Sequence, residues 1–245
     1  MSSYTGEHLD HRSRPDHSFT TTPGFCGIVD HVRTLRELFT NNRRWANRME
    51  HDHPGFFSRL AAQQAPEFLW IGCSDSRIPA NQIVDLMPGE IFVHRNIANV
   101  VDHADRNCQA VIQYAIGELR VNHIMVVGHY RCGGVRAALE TYRGGLLDDW
   151  VAPIRALHQR HRAFFDTCPG ETARWEKLCE LNVLEQARSV SQTTMVREAW
   201  ARGRDLAVHG WIYSVADGHL RDLEVTVANA EEANRVFAGR LAQLL

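Results

Sequence analysis

The sequence predicts an α/β protein in which a mostly parallel central sheet is flanked by helices. Short, continuous apolar runs that stop at glycine are typical of strands buried on both faces. These runs alternate with segments whose apolar residues recur at helical spacing, and that alternation favours parallel pairing. Of the 245 residues, 44% are hydrophobic and 23% are charged, as in a globular chain with a sizeable core.

Five strands follow from these runs. The first stops at Gly72, the second follows the turn Pro88-Gly89, and the third stops at Gly128. A fourth run continues through His209-Gly210, and the fifth closes the sheet. The predicted strands are residues 68–71, 91–93, 124–127, 206–213 and 223–227.

The remaining periodic segments are predicted to be helices: residues 29–49, 107–119, 135–142, 172–202 and 231–244. The helix at 172–202 carries an apolar stripe that includes Trp175, and we interpret the stripe as core or subunit interface. Composition changes near Pro23-Gly24. We therefore expect a flexible extension over residues 1–25 and a single domain over residues 26–245.

Charge and hydropathy argue against several classes of protein. A formal net charge of -2 gives no reason to expect nucleic acid as a partner. Arg43, Arg44 and Arg48 invite that interpretation, but a solvated or intersubunit helix face is favoured. No apolar run approaches the ~20 residues that span a bilayer, and no signal-type segment is visible. We expect a cytoplasmic protein that does not act on a membrane. Its six cysteines fit thiols or ligands better than disulfides.

Two polar segments follow strands one and three, where ligand sites of open α/β sheets gather. Cys73 follows the first strand, and the pair His129-x-x-Cys132 follows the third. If these strands are neighbours, two thiols and one imidazole converge, and this donor set suits Zn²⁺. Three protein ligands leave a fourth position for water, as in catalytic zinc sites. Either segment alone would fit a core cysteine or histidine equally well.

Together with their neighbours, these residues resemble the β-class carbonic anhydrases from about Cys26 to the C-terminus. The motifs are Cys73-Ser74-Asp75-Ser76-Arg77, His94-Arg95-Asn96-Ile97-Ala98-Asn99 and Gly128-His129-Tyr130-Arg131-Cys132-Gly133-Gly134. The resemblance implies the β-carbonic anhydrase fold, with zinc held by Cys73, His129 and Cys132 and an Asp75–Arg77 dyad beside the metal. It also implies CO₂ and bicarbonate as substrates and a homodimer or homotetramer.

The charges of that ligand set suggest a mechanism. Two thiolates and a neutral imidazole leave the zinc site nearly neutral. Zinc should therefore lower the pKa of its bound water less than it does at a three-histidine site. We expect zinc-bound hydroxide to attack CO₂, with activity rising toward alkaline pH. Asp75 would orient the hydroxide, and Arg77 would hold Asp75 by a charge-assisted pair, unless the two form only a structural salt bridge.

The resemblance also implies a regulatory variant of the site. If Arg77 releases Asp75, the carboxylate can become the fourth zinc ligand and exclude water. In the family this switch accompanies a non-catalytic bicarbonate pocket, whose residues match Trp70, Arg95 and Tyr114 here. Each also has a structural interpretation: Trp70 in the strand core, Tyr114 in helix packing and Arg95 in a surface ion pair.

Two alternative functions remain open at this point. One is a zinc hydrolase of carbonyl sulfide or carbon disulfide that uses the same site. The other is a non-catalytic, zinc-stabilised binding protein, which predicts a closed site with four ligands. The Asp75–Arg77 pair argues against the second, because a structural site needs no displaceable carboxylate.

Overall fold

A computed structural model describes residues 35–245, and a boundary between two compact units follows Phe56. In the first unit, α1 (Leu35–Asp52) is one amphipathic helix. Arg43 donates to Thr40 at 3.2 Å and Arg44 to Asn41 at 3.3 Å, so both arginines bond along their own helix. The expected extension at 1–25 and the predicted helical residues 29–34 lie outside the described residues. The single domain over 26–245 stays a prediction.

The second unit is built on one five-stranded sheet, and it confirms the predicted fold class. The strands are β1 (Phe68–Cys73), β2 (Ile91–Asn96), β3 (His123–His129), β4 (Ala207–Tyr213) and β5 (Leu220–Val227). Their order is β2-β1-β3-β4-β5. The first four run parallel, and β5 pairs antiparallel with β4.

Helices precede, separate and follow these strands along the chain. They are α2 (Phe56–Ala62), α3 (Ala80–Ile83), α4 (Arg106–Gly117), α5 (Gly133–Leu139), α6 (Leu146–Trp150), α7 (Ala152–Arg160), α8 (Arg162–Phe165), α9 (Gly170–Gln192), α10 (Thr194–Ala201) and α11 (Ala230–Leu244), with a 3-10 turn at Ile97–Asn99. Over residues 35–245, no helix combines the length and apolarity needed to cross a membrane.

Alternation along the strands divides the buried side chains between the two faces. Leu69 and Ile71 of β1 belong to the larger apolar cluster, which includes residues of α4, α9 and α11. Trp70 belongs to a smaller cluster on the other face, together with Met125 and Val127 of β3. Both faces of the central strands are therefore buried, as their continuous apolar runs predicted.

The predicted helix at 172–202 is two helices, α9 and α10, which meet at Thr193. The Thr193 hydroxyl donates to the carbonyl of Val190 at 2.8 Å and accepts from the backbone N–H of Val196 at 3.4 Å. One side chain thus ends the first helix and caps the second, which ordinary helical periodicity does not reveal. The short helices α2, α3, α6, α7 and α8 were not predicted.

Candidate metal centre

Two neighbouring strands place the predicted ligands at one edge of the sheet. β1 and β3 pair in parallel with Gly72 opposite Val127, so Cys73 at the end of β1 comes level with Gly128, one residue before His129 at the end of β3. Cys132 immediately precedes α5. The ligand atoms of Cys73, His129 and Cys132 all lie within 4.8 Å of one another, and the two sulfurs are 3.7 Å apart. The expectation that the strands are neighbours is confirmed.

The chemistry of this cluster fits a divalent metal ion. All three side chains are buried, with His129 only 1% exposed. The Nδ1–H of His129 donates to the Tyr130 carbonyl at 3.0 Å, because a carbonyl can only accept. Nε2 therefore carries the lone pair of the ring, and it has no hydrogen-bond partner among the described residues. A bound cation would satisfy this buried nitrogen, and two sulfurs with one imidazole form a borderline-soft donor set.

The two thiols share their charge unequally. The Cys132 thiol hydrogen-bonds to Cys73 and, against the effect of burial, lowers the pKa of Cys73 well below its ordinary value. The pKa of Cys132 is raised far above its ordinary value by its hydrogen bond to Cys73, by burial and by the neighbouring negative charge. Without a cation the pair therefore retains one proton. Two thiolates at this distance need a positive ion between them.

Asp75 lies at the rim of the cluster and is held there by Arg77. The guanidinium donates from Nε to Oδ1 at 2.9 Å and from Nη2 to Oδ2 at 2.7 Å, and the Arg77 backbone N–H donates to Oδ1 at 2.9 Å. These bonds, led by the side-chain pair, hold the pKa of Asp75 well below its usual range. Asp75 Oδ2 is 3.8 Å from His129 Nε2, so the ionised carboxylate faces the ligand atoms.

Comparisons with known proteins identify the family. The family model for carbonic anhydrase matches residues 68–220, which include all three candidate ligands. The chain belongs to the β-carbonic anhydrase family. A carbonic anhydrase of Emericella nidulans is 46% identical over 193 residues, covering 79% of this chain and 85% of the relative. The prediction that the chain is an enzyme of this class, a carbonate dehydratase, is confirmed at the level of the family.

Solved β-carbonic anhydrases share the fold. The Coccomyxa enzyme in complex with acetazolamide superposes with a TM-score of 0.81 at 35% identity, covering 86% of this chain and 96% of that one. A structure from a report on two tetrameric enzymes of Sordaria macrospora superposes with a TM-score of 0.75 at 41% identity, covering 79% and 98%.

In this member of the family, Arg95 braces the turn that carries Cys73 and Asp75. Its Nε donates to the Cys73 carbonyl at 2.8 Å, and its Nη2 donates to the Asp75 carbonyl. This is a backbone role rather than the surface ion pair that the sequence also allowed. Arg95 comes from β2, on the strand face that Trp70 shares, and Trp70 packs beneath Gly72. A Cβ at Gly72 would lie 2.3 Å from the Trp70 indole nitrogen.

Tyr114 does not lie on the same face of the sheet as Trp70 and Arg95, the other two residues of the predicted bicarbonate pocket. It lies on α4, is 46% exposed, and its ring contacts Phe92 at a centroid distance of 5.8 Å. Phe92 packs against the larger apolar cluster, on the opposite face of the sheet from Trp70. Within one chain, therefore, Trp70 and Arg95 share a face, and Tyr114 lies on the other.

Sequence reasoning missed the contacts that α9 makes with the metal-ligand segment. The indole N–H of Trp175 donates to the Cys132 carbonyl at 2.9 Å, and Tyr130 donates its hydroxyl proton to Glu180 at 2.7 Å. The sequence places Trp175 on an apolar stripe. That position is right for packing, but periodicity cannot show that its polar N–H reaches a metal-ligand residue.

A second group of potential ligand atoms, from His94, Asp105 and Cys108, also lies within 4.8 Å of one another. Here two of the three side chains, those of Asp105 and His94, already have polar partners. Asp105 caps α4 by accepting from the Asn107 N–H at 3.0 Å, and His94 Nε2 lies 3.3 Å from the Asn96 amide nitrogen, which can only donate. We interpret this group as a hydrogen-bonded part of the core, in contrast to the unpaired nitrogen of His129.

Proposed function

We propose that this chain catalyses the reversible hydration of CO₂ to bicarbonate and a proton, with Zn²⁺ held by Cys73, His129 and Cys132. The proposal is carried by the buried Nε2 of His129, which has no hydrogen-bond partner among the described residues and belongs to a cluster with two sulfurs. This arrangement fits a tetrahedral zinc ion better than a hydrogen-bonded core. Three protein ligands leave one position open for solvent, as catalysis requires. The carbonic anhydrase relatives support the same reaction.

The residues around that ion have separate roles. When bound, zinc supplies the nucleophile, because it lowers the pKa of a coordinated water molecule. Cys73 and Cys132 neutralise the metal charge, and His129 is fixed in one tautomer by its bond to the Tyr130 carbonyl. Asp75 accepts a hydrogen bond from the reacting water and so orients it. Arg77 keeps that carboxylate ionised and correctly turned.

We also propose that Asp75 is a conditional zinc ligand. Its Oδ2 lies 3.8 Å from His129 Nε2, so the carboxylate is close enough to join the three ligands around an ion held there. Arg77 is 54% exposed at its side chain and can turn toward solvent when it releases the carboxylate. X-ray absorption on the zinc enzyme tests the switch across pH. Spectra that never show a carboxylate oxygen replacing solvent would contradict it.

Bicarbonate is the proposed effector of this switch, bound near Trp70 and Arg95. The two share a strand face next to the turn that carries Asp75, and Arg95 already contacts that turn. Tyr114 enters the proposed pocket only if a second copy of the chain supplies it. Bicarbonate titration of Trp70→Phe and Tyr114→Phe separates the two residues. Unchanged bicarbonate inhibition in both variants would contradict the pocket.

We further propose that the enzyme is a homodimer or a homotetramer, with no nucleic acid or membrane partner. Support comes from the Sordaria macrospora neighbour, whose structural report describes tetramers. Light scattering coupled to size-exclusion chromatography measures the mass directly. A monomer of 27.9 kDa at micromolar concentration would contradict this part of the proposal.

One experiment tests the central reaction. Metal content and stopped-flow CO₂ hydration are measured on the wild type, on Cys73→Ser and on Cys168→Ser. Cys168 is a free, partly buried cysteine outside the cluster and serves as the matched control. We expect about one zinc per chain in the wild type and the control, and loss of both metal and activity in Cys73→Ser. A wild type that stays metal-free when zinc is supplied, or that turns over carbonyl sulfide but not CO₂, would contradict the proposal.

A further inference from the structure

Tyr130, Arg131 and Cys132 form the ligand loop, the segment that leads from β3 to α5. Arg131 has a φ of 57°, in the left-handed region that side chains other than glycine rarely adopt. Such a residue has an energetic cost and persists only where its surroundings hold it. The loop therefore needs contacts from outside itself, and the structure supplies them from one helix.

All three residues of the ligand loop contact α9. Tyr130 donates its hydroxyl proton to Glu180 Oε1 at 2.7 Å, Arg131 Nε donates to Glu176 Oε1 at 3.3 Å, and Trp175 Nε1 donates to the Cys132 carbonyl at 2.9 Å. Glu176 and Glu180 lie about one turn apart on the helix, and Trp175 directly precedes Glu176, so one part of α9 supplies all three contacts.

These contacts differ in burial, and burial decides which of them fix the loop. Arg131 and Glu176 have side chains 63% and 37% exposed, so their ion pair contributes little. The Glu180 side chain is only 14% exposed, and Lys177 Nζ holds its second oxygen at 2.8 Å. Glu180 is thus a fixed acceptor for the Tyr130 hydroxyl.

Tyr130 connects this acceptor to the metal ligand beside it. Its carbonyl accepts the Nδ1–H of His129 at 3.0 Å, and its backbone N–H donates to the Tyr213 carbonyl of β4 at 3.0 Å. The side chain, the carbonyl and the N–H of one residue are therefore all engaged. The Tyr130 side chain is thus connected, through the backbone of its own residue, to the carbonyl that orients the His129 imidazole.

We propose that Tyr130 and Glu180 are positioning residues for the metal centre: their hydrogen bond fixes the ligand loop on α9 and thereby the angle at which His129 meets the ion. This rests on the proposed zinc site. Partners of this kind, one bond removed from a ligand, change metal affinity about 10–100-fold when they are lost. The loss should act through release of the ion rather than through global unfolding.

The test compares Tyr130→Phe with two control variants of the holoenzyme. Arg131→Gln removes the exposed pair on the same loop, and Val190→Ala removes buried methyls farther along α9. Zinc transfer to a chromogenic chelator gives the release rate, and the Co²⁺-substituted enzyme gives the ligand-field spectrum. We expect Tyr130→Phe to release zinc about tenfold faster and to shift the Co²⁺ bands. Both controls should stay within about twofold of the wild type, with unshifted bands.

A second set of variants tests whether the two residues act as one unit. Glu180→Gln keeps an oxygen acceptor for the Tyr130 hydroxyl and should retain most of the zinc affinity, whereas Glu180→Ala should not. Combining Tyr130→Phe with Glu180→Ala should release zinc no faster than Glu180→Ala alone. Multiplying effects, or equal release from Tyr130→Phe and Val190→Ala, would overturn the inference. A wild type without metal would instead refute the proposed function.

Discussion

Gly128 lies on β3, next to the candidate ligand His129. A methyl group added at Gly128 tests how closely β3 packs against α9. A Cβ there would lie 2.4 Å from Val183 Cγ2 of α9 and 3.4 Å from Asn99 Oδ1. Carbon atoms pack at about 3.5–4.0 Å, so helix and strand must separate by roughly 1 Å. Such overpacking destabilises a core by about 1–3 kcal/mol, and we expect this cost for Gly128→Ala.

Val183→Ala removes the methyl group that would collide. Alone, it should lower the free energy of unfolding by about 1–3 kcal/mol, because Val183 is fully buried. In that background Gly128→Ala fills space rather than colliding, and it also restricts the unfolded chain, which favours folding by about 0.4–1 kcal/mol. The effect of Gly128→Ala should therefore change sign between the two backgrounds.

Urea unfolding of the four proteins of this cycle measures the effect, at one protein concentration because subunit association is linked to stability. Gly239→Ala on α11 is the matched control, since a Cβ there meets nothing within 4 Å, and it should stabilise by about 0.5–1 kcal/mol. If Gly128→Ala is equally destabilising in the wild type and in the Val183→Ala background, the collision is not the reason for glycine, and the argument fails.

Three further perturbations have expected outcomes. Arg77→Lys keeps the positive charge but loses the paired hydrogen bonds to Asp75. The stopped-flow rate of CO₂ hydration should fall roughly tenfold, while the free energy of unfolding in urea changes by less than about 1 kcal/mol. An unchanged hydration rate would refute the role of Arg77 in holding Asp75. Asn182→Ala leaves the Ala98 carbonyl and the Gln186 amide without their partners at 3.0 Å. The free energy of unfolding in urea should fall by about 2–4 kcal/mol. A fall below about 0.5 kcal/mol would contradict this hydrogen-bond network. Free zinc at a hundredfold excess over its dissociation constant should stabilise by about 2.7 kcal/mol, which raises Tm by about 5–11 °C, and a melting curve insensitive to zinc and chelator would count against the metal site.

Strand ends were the most predictable feature of the site. A buried apolar run that stops at glycine shows where a parallel strand ends, and the polar residue that follows must then lie at the sheet edge. Cys73 and His129 could therefore be placed together before their geometry was known. The apolar runs do not predict the order of the strands in the sheet. The carboxyl ends of β1 and β3 lie next to each other only because these two strands pair.

Residue roles beyond the strand ends depended on contacts that no local pattern contains. Arg95 bonds to two carbonyls more than 15 residues away in sequence, and nothing near it in the chain indicates those partners. Tyr114 was assigned through resemblance to a pocket, yet its helix packs on the opposite face from Trp70. The break at Thr193 was missed because a threonine inside a periodic stretch caps a helix only if its backbone leaves the helical region.

Close packing of α9 against the sheet links the core to the chemistry. Gly128 and Gly210 leave room for Val183, which a Cβ at Gly210 would meet at 3.5 Å, and so the helix lies directly on β3 and β4. Trp175 precedes Val183 by eight residues, or about 12 Å along the helix. The distance between α9 and the sheet at Val183 therefore affects whether the Trp175 indole, on the same helix, reaches the Cys132 carbonyl. Substitutions that lift α9 at Gly128 should consequently loosen the metal ligands, although they touch none of them.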